Sequence, residues 1–394
     1  MTGAATPHRL LRRDPTGPIT LPRVAPTPEA LVFRGVGKGF EHVAVPGVEL
    51  AEGDLLVRVE LATICGSDRH TVTGKRHEET PLVLGHEQVG RVIAIGPGAP
   101  PLGMDGFPVV TGDRIVWGVA VACKECGRCR RGMQNKCERL RKYGHTRIDR
   151  GWELSGGFAT HVHVVEGSDV VRVPEDIPAE VLAPASCATA TVVAALDAVA
   201  RPLAGEIVVV SGCGMLGLTA IAMAQAAGAV VVGVDPDARR RRQARDFGAV
   251  LTCSPGTARL RSAVSKAATS RAAASSSGEA TTGGFAAAFE MSGSSEAVAA
   301  LLATADVGAT IVLVGSVFPA PPVSFDPQQL VRKLLTVTGV HNYRGEQLLR
   351  AVEFLTQADH TRFASLVGGT VSLADAASAL SAPAARAARV GVRP

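Results

Sequence analysis

The sequence predicts an α/β protein built around a doubly wound parallel sheet. Two observations carry that expectation. In "GEIVVVSGCGMLGLTAIAMAQAAGAVVVGVDPD" a strand, a glycine-rich turn, a helix and a second strand follow one another. The chain also has 394 residues, 46% of them hydrophobic and 20% charged, which is room for two domains with cores of their own.

The turn can be justified residue by residue. Ile207–Ser211 is a short β-branched run, the signature of a strand. Gly212, Gly214 and Gly217 then form G-x-G-x-x-G. Gly212 permits the tight turn and Gly214 lets a pyrophosphate approach the backbone. Gly217 brings helix and strand together, and Met215 and Leu216 open the helix whose N-terminus faces the anion. Apolar residues continue to Ala227, and the second strand, Val230–Val234, ends in Asp235, 23 residues beyond Gly212. Glycines after a strand, before a helix and followed by such an acid point to a dinucleotide site. Asp235 would accept hydrogen bonds from the adenosine ribose hydroxyls and repel a 2′-phosphate, which favours NAD over NADP. The run "ARRRRQARDFGA" pulls the other way. Arg239 to Arg242, Arg240 among them, would clamp a 2′-phosphate, cover the adenine, or simply be solvated at a helix start.

Upstream, "CKECGRCRRGMQNKC" places Cys123, Cys126, Cys129 and Cys137 in C-x2-C-x2-C-x7-C spacing. Such spacing turns successive thiolates onto one ion, and tetrahedral zinc at about 2.3 Å from sulfur is the expected occupant. Cysteines this close would form disulfides only under strain. An iron–sulfur cluster uses a similar opening, but the seven-residue gap argues against it. Four protein ligands make a closed, structural site. Eight basic and two acidic residues lie between Cys123 and Lys142. Without aromatic interleaving or a basic helical face, they read as a solvated loop offsetting the zinc–tetrathiolate rather than a nucleic-acid surface.

A second metal constellation is dispersed. "LATICGSDRHTVTGKRHEETPLVLGHEQVG" holds Cys65, His86 and Glu87, and "APASCATAT" holds Cys187. Two cysteines and a histidine from distant segments would bind zinc and leave its fourth position open, as in the catalytic site of alcohol dehydrogenase, the known case for this ligand set. The alternative for either cysteine alone is a small buried hydrophobe. An alcohol must lose its hydroxyl proton before hydride leaves its carbon. Ser67, two residues after Cys65, is placed to share that proton, and His70 to pass it toward solvent. Asp68 would orient His86, and Glu87 would support the site or ligate transiently.

Together these pieces resemble the zinc-containing medium-chain alcohol dehydrogenases. "CGSD", "GHE", "GDRI", the four-cysteine lobe, "GGFA", "CATAT" and "GCGMLG" stand in that family's order, from about residue 30 to 394. The resemblance implies a GroES-like β-rich catalytic domain plus a Rossmann doubly wound parallel sheet inserted into it. The implied boundaries are 29–185 and 342–394 for the catalytic domain, with the structural zinc lobe at about 120–142. The NAD-binding domain would be 186–341, after a flexible arm, 1–28. It also implies catalytic zinc on Cys65, His86 and Cys187, Thr191 near the nicotinamide, backbone contacts from Val314 and Val340 to Asn342, and Arg389 reaching the pyrophosphate. The phrases "KYGH", "GGFATHVHV" and "GVHNY" are closer to a subgroup associated with phosphonate metabolism. Two departures stand out: Thr160 replaces a frequent Glu after "GGFA", and the Ala/Ser-rich stretch 260–284 reads as a mobile surface loop.

The implied function is zinc-dependent hydride transfer between an alcohol or aldehyde and NAD(H), the substrate being a small anionic molecule such as hydroxyethylphosphonate. Arg69, Lys75, Arg76 and His145 are the candidate cations around it, with His341 beside the nicotinamide; Tyr143 and Arg147 lie in the same stretch as His145. The alternatives are a polyol or amino-alcohol dehydrogenase, a redox-neutral enzyme using transient NAD reduction, and a zinc-bearing scaffold or cofactor sensor without turnover. A net charge of +5 is modest. No run of eighteen apolar residues and no secretory leader is evident, so reduced thiols, a cytoplasmic location and no membrane or nucleic-acid partner are expected. A homodimer or homotetramer is the expected assembly by resemblance.

Overall fold

The computed structural model describes residues 24–274, 283–382 and 387–394. These fall into two compact units. The first takes the described residues within Met1–Ser186, Gly369–Ala384 and Val390–Pro394, and the second those within Cys187–Gly368 and Ala385–Arg389.

The first unit is mostly antiparallel sheet. Its largest sheet runs in the order Val170–Arg172, Arg114–Trp117, Gln88–Ile95, Leu55–Thr63, Arg389–Arg393, Val367–Ser372, with His161–Val164 also paired to Leu55–Thr63. Leu55–Thr63 is buried along nearly its whole length because both its faces meet apolar partners. Its antiparallel register sets Ala62 opposite Gln88. The chain leaving the first strand at Cys65 therefore ends beside the chain entering the second at His86. The core beneath joins Leu55, Val57, Trp117, Tyr143, Trp152 and Phe158. A short ladder between Ala120–Val121 and Arg141–Lys142 closes off the four-cysteine segment. A smaller sheet pairs Glu29–Gly35 with Gly39–Ala44 and Leu82–Val83.

A buried ion pair ties two turns of this unit. Asp54 Oδ2 lies 2.7 Å from His163 Nε2 and accepts from the Ala51 amide at 2.9 Å, while Oδ1 accepts from the Glu166 amide at 2.9 Å. Burial favours the neutral acid, but His163 and the two amides outweigh it and hold Asp54 below the usual aspartate range. A depressed carboxylate adds stability above its unfolded pKa of about 3.9 and loses it as pH falls through the folded value. Asp54→Asn is therefore expected to destabilise the unit by about 2 kcal/mol at pH 7. Urea midpoints of wild type and variant should converge as the pH is lowered below 4; a constant gap would show that the carboxylate charge is not the cause.

The second unit contains a six-stranded parallel sheet. Numbered along the chain, the strands are Ile207–Ser211, Val230–Val234, Leu251–Cys253, Phe285–Glu290, Ala305–Leu313 and Thr336–Gly339; their spatial order is 3-2-1-4-5-6. This is the doubly wound order expected from the sequence, with its topological switch between the first and fourth strands. The registers bring Cys253, Val234, Ser211, Glu290, Leu313 and Gly339 into one row at the carboxyl edge. The first strand is buried throughout, which is why it reads as an unbroken apolar run.

Three expectations change. The stretch 260–284 is not a loop over its first part: Thr257–Ala274 is a helix, and Leu260, Ala263, Val264, Ala267 and Ala268 are buried at helical spacing. Alanine-rich composition resembled low complexity, but alanine is also the strongest helix former; residues 275–282 lie outside the described residues. Residues 342–368, assigned to the catalytic domain, belong to the second unit. The helix Gly345–Gln357 packs on Ala188–Asp197, joined by Arg350 to Asp197 at 2.8 Å and by Gln347 Nε2 donating to Asp197 Oδ2 at 2.9 Å. Of the arm 1–28, residues 1–23 lie outside the described residues, and the Pro28 carbonyl already accepts from the Val45 amide at 2.8 Å. No single helix among the described residues is long and apolar enough to cross a membrane.

Candidate active site

The four cysteines of the lobe converge. Their sulfurs all lie within 4.8 Å of one another. The Cys123 and Cys137 sulfurs are 3.4 Å apart, and those of Cys126 and Cys137 are 3.9 Å apart. Backbone amides turn toward the sulfurs: Cys126 N–H to Cys123 at 3.4 Å, Cys129 N–H to Cys126 at 3.5 Å and Arg139 N–H to Cys137 at 3.3 Å. Burial opposes ionisation of Cys123, yet the Glu125 amide, the Arg139 side chain and the Cys126 amide pull its thiol down to about 6. Burial and the neighbouring cysteines push Cys129 up to about 12. Backbone amides likewise lower Cys126, whereas burial raises Cys137 as it does Cys129, so two sulfurs favour ionisation and two resist further negative charge. A tetrathiolate needs a cation at its centre, and these residues fit zinc.

The dispersed constellation also converges. Cys65, His86, Glu87 and Cys187 each offer an atom within 4.8 Å of the others. Cys65 caps the helix Gly66–Val72, and Asp68 reaches back so that its Oδ2 accepts from the Cys65 amide at 2.8 Å. Asp68 Oδ1 accepts from the Gly85 amide at 3.3 Å and stands 3.3 Å from His86 Nδ1, off the hydrogen-bond line. One carboxylate thus braces the two loops that carry Cys65 and His86, through their backbones rather than through the expected hydrogen bond to the His86 ring. Ser67 Oγ lies 3.2 Å from the other ring nitrogen, His86 Nε2. Burial disfavours a charge on His86, but Asp68 and Cys65 raise its imidazole to about 10. Two thiols and two carboxylates around one imidazole make a donor set rich in negative charge, the environment a dication satisfies. Cys187 follows Ser186, whose hydroxyl donates to the His86 carbonyl at 3.0 Å, so the chain brings the third candidate ligand beside His86. Thr191 lies one turn on, its amide donating to the Cys187 carbonyl at 3.1 Å.

The glycine-rich turn has the expected form. Gly214 caps the helix Met215–Ala226, and a Cβ added at Gly214 would meet nothing within 4 Å, leaving its backbone open to a ligand. A Cβ at Gly217 would lie 1.8 Å from the Gly212 carbonyl oxygen, so only glycine lets helix and turn touch. Asp235 is buried, with Oδ2 accepting from the Cys213 amide and Oδ1 from the Asp237 amide, both at 2.8 Å. Arg240 stands 3.8 Å from the same carboxylate. Arg239 pairs with Asp237, and Arg241 donates to the Asp235 and Pro236 carbonyls.

Comparison with known proteins agrees with this geometry. Residues 51–175 match the alcohol dehydrogenase GroES-like domain and residues 216–357 the zinc-binding dehydrogenase family. An L-threonine 3-dehydrogenase from Anaeromyxobacter dehalogenans is 32% identical over 305 residues, 75% of this chain and 78% of that protein. The chain belongs to the zinc-dependent medium-chain alcohol dehydrogenase family. A probable alcohol dehydrogenase from Mycobacterium tuberculosis is 36% identical over 216 residues, 51% of this chain, and the match spans 56% of that relative's length. The crystal structure of an alcohol dehydrogenase from Thermotoga maritima superposes with a TM-score of 0.85 at 26% identity, covering 93% of this chain and 99% of that one.

Within this family member the remaining candidates divide. Arg69 is not an open anion clamp: its guanidinium donates to the Leu380 carbonyl at 3.3 Å and to the Ala382 carbonyl, closing the C-terminal end of the helix Ala376–Ser381. Arg76 pairs with Glu78 at 2.7 Å, and His145 Nδ1 lies 3.5 Å from the same carboxylate. The His145 ring sits 4.5 Å from the His86 ring, so His145 packs on a candidate ligand rather than lying apart from it. Lys75 is exposed. His70 follows Ser67 by three residues on the helix Gly66–Val72, and burial followed by the charge of Lys75 holds its imidazole below the usual range. Val314 is buried, Val340 N–H donates to the Leu313 carbonyl at 2.9 Å, and Asn342 adopts a left-handed φ of 60°. His341 is half-buried and Arg389 buried; Arg389 donates to the Ala388 carbonyl at 3.1 Å.

Sequence reasoning missed Thr63, whose hydroxyl donates to Glu87 Oε2 at 2.6 Å, and Ser186. Position beside a ligand was the available signal for both. Thr160, noted only as a departure, links its strand to Glu29, accepting from the Glu29 amide at 2.9 Å. Asp68→Asn is expected to keep the fold and weaken catalytic-zinc affinity about 10–100-fold, because the amide cannot accept from both loops and face His86 as an anion. Chelator competition checks it; unchanged zinc retention would remove Asp68 from this role.

Proposed function

We propose that this protein catalyses reversible hydride transfer between a small alcohol and NAD. The carrying observation is the convergence of Cys65, His86 and Cys187 with Ser67 3.2 Å from His86. When bound there, zinc supplies Lewis acidity that makes the alcohol proton easier to remove. Ser67 takes a hydrogen-bonding place beside the reacting oxygen, and His70, its imidazole held below the usual range by burial and the Lys75 charge, accepts the proton on its way to solvent. Asp68 keeps His86 oriented, and Glu87, anchored by Thr63, stays ready at the edge of the ligand set. Asp235 favours NAD, since a 2′-phosphate would meet a buried carboxylate; Arg240 beside it is the residue that would soften that preference.

The substrate readings are weighed by what the cations already do. Hydroxyethylphosphonate needs two or three unengaged cations. Arg69 holds helix carbonyls and Arg76 holds Glu78, which supports a polyol or amino alcohol instead, with Lys75 as the exposed cation of the set. The L-threonine 3-dehydrogenase relative favours the amino alcohol. An absorbance assay at 340 nm with threonine, polyols, simple alcohols and hydroxyethylphosphonate, each with NAD and NADP, tests all of this. Turnover of the phosphonate alone would reverse the ordering, and no turnover of any alcohol with zinc loaded would overturn the function.

A homo-oligomer is proposed through the second unit. The sheet ends at the edge strand Thr336–Gly339; Val337 within it is 41% exposed, and Val331 and Leu334 just before it are 70% and 72% exposed. An apolar, unpaired edge favours pairing with another copy. Light scattering checks the mass, and a monomer at micromolar concentration would dismiss it.

A further inference from the structure

Glu290 is a fully buried carboxylate with no part in the chemistry above. It ends the fourth strand of the parallel sheet, level with Ser211 on the first strand and Leu313 on the fifth. Its Oε1 accepts from the Ser292 amide at 2.7 Å, the Ser292 hydroxyl at 2.6 Å and the Gly293 amide at 2.8 Å. Its Oε2 accepts from the Ser316 hydroxyl at 3.1 Å. The Glu290 carbonyl takes the amides of Val314 and Gly315 at 2.9 and 2.8 Å. One residue thus holds the loops that leave the fourth and fifth strands.

Those loops press against the glycine-rich turn. A Cβ at Gly212 would lie 2.8 Å from the Ser292 amide nitrogen, and one at Gly315 would lie 2.5 Å from that of Gly293. Gly293 has a φ of 75°, and a Cβ there would meet the Gly315 carbonyl oxygen at 2.7 Å. Three backbones are in contact with no side chain between them, so a shift of one loop is passed to the next. A dinucleotide in a doubly wound sheet straddles the switch point, its pyrophosphate over the first turn and its adenosine toward the second strand. Asp235 ends the second strand and holds the Cys213 and Asp237 amides. Glu290 mirrors it across the switch, over the half left for the nicotinamide.

We propose that Glu290 is a positioning residue for the nicotinamide half of the cofactor, acting through the loops at Ser292–Gly293 and Val314–Ser316. The proposal rests on the second unit being the dinucleotide site. Removing the carboxylate takes the shared acceptor from the Ser292 and Gly293 amides and the Ser316 hydroxyl and frees both loops to move, while Asp235 and the glycine-rich turn keep the adenosine and pyrophosphate end.

The test compares NADH with ADP-ribose, which lacks the nicotinamide, on the full chain by calorimetry. Glu290→Ala should weaken NADH about tenfold or more and ADP-ribose by no more than about twofold. Glu290→Gln keeps an oxygen acceptor and should restore NADH affinity to within about threefold. Ser316→Ala removes a single bond and should give a smaller loss, again confined to NADH; it answers the question should Glu290→Ala fail to fold. Equal losses for both ligands, or no loss for either, would overturn the proposal. Wild-type protein that binds neither ligand would instead overturn the dinucleotide reading beneath it.

Discussion

Cys65→Ala is expected to lower kcat for any accepted alcohol by about 1,000-fold or more, the rate equivalent of several kcal/mol of lost charge stabilisation. Cys65 does two things at once. Its sulfur is one of the donors gathered within 4.8 Å, and its backbone opens the helix that carries Ser67, Asp68 and His70. The substitution removes the first and only half of the second: the sulfur no longer accepts from the Asp68 amide, but the Asp68 carboxylate still accepts from the amide of residue 65. The helix should stay in place, and the fault should lie in the ion. Zinc analysis should fall from two ions per chain toward one, matching the two convergent donor groups. NADH affinity should stay within about twofold, because no residue of the parallel sheet is disturbed. Near-wild-type turnover by a chain carrying a single zinc would defeat the catalytic assignment.

The second large effect is on stability. Cys126→Ser is expected to lower the melting temperature by about 10 °C, the shift for losing about 4 kcal/mol when a structural metal site opens. Cys126 is a donor in the lobe and also caps the helix Gly127–Arg130, its sulfur accepting from the Cys129 amide. The lobe has little apolar core beyond its cysteines, Ala122 and Leu140, so without an ion little else holds it. The damage should travel. The strand Arg141–Lys142 leads straight into Tyr143, buried with its ring 5.4 Å from that of Trp152, and then to His145, whose ring lies tilted 4.5 Å from that of His86. A modest fall in kcat should accompany the lower melting point. Calorimetry with zinc analysis decides the matter: a variant that loses this zinc yet melts like wild type would show the lobe to be dispensable.

Legibility followed locality. The strand Ile207–Ser211, the turn Gly212–Gly217 and the four cysteines are each contiguous, and their spacing alone implies how they fold. The helix over 257–274 was hidden because alanine and serine suggested low complexity, although Leu260, Val264 and Ala267 repeat at helical intervals. Arg69 and Arg76 looked like anion ligands because a sequence shows charge and not partners. The structure gives Arg69 the carbonyls of Leu380 and Ala382, more than 300 residues away, and gives Arg76 the Glu78 carboxylate.

By itself, the sequence determined what short range can encode: the strand–turn–helix–strand unit with its glycine spacing, and the four-cysteine lobe. Backbone geometry over a few residues is enough to specify each of them, and the Cys and His types at 65, 86 and 187 were readable only as separate candidates. The tertiary structure alone decided which charges are neutralised, that Asp68 braces two ligand loops, and that Glu290 joins the loops beside Gly212. Those outcomes depend on strand register and on side chains meeting across long stretches of chain, where burial makes every polar group find a partner.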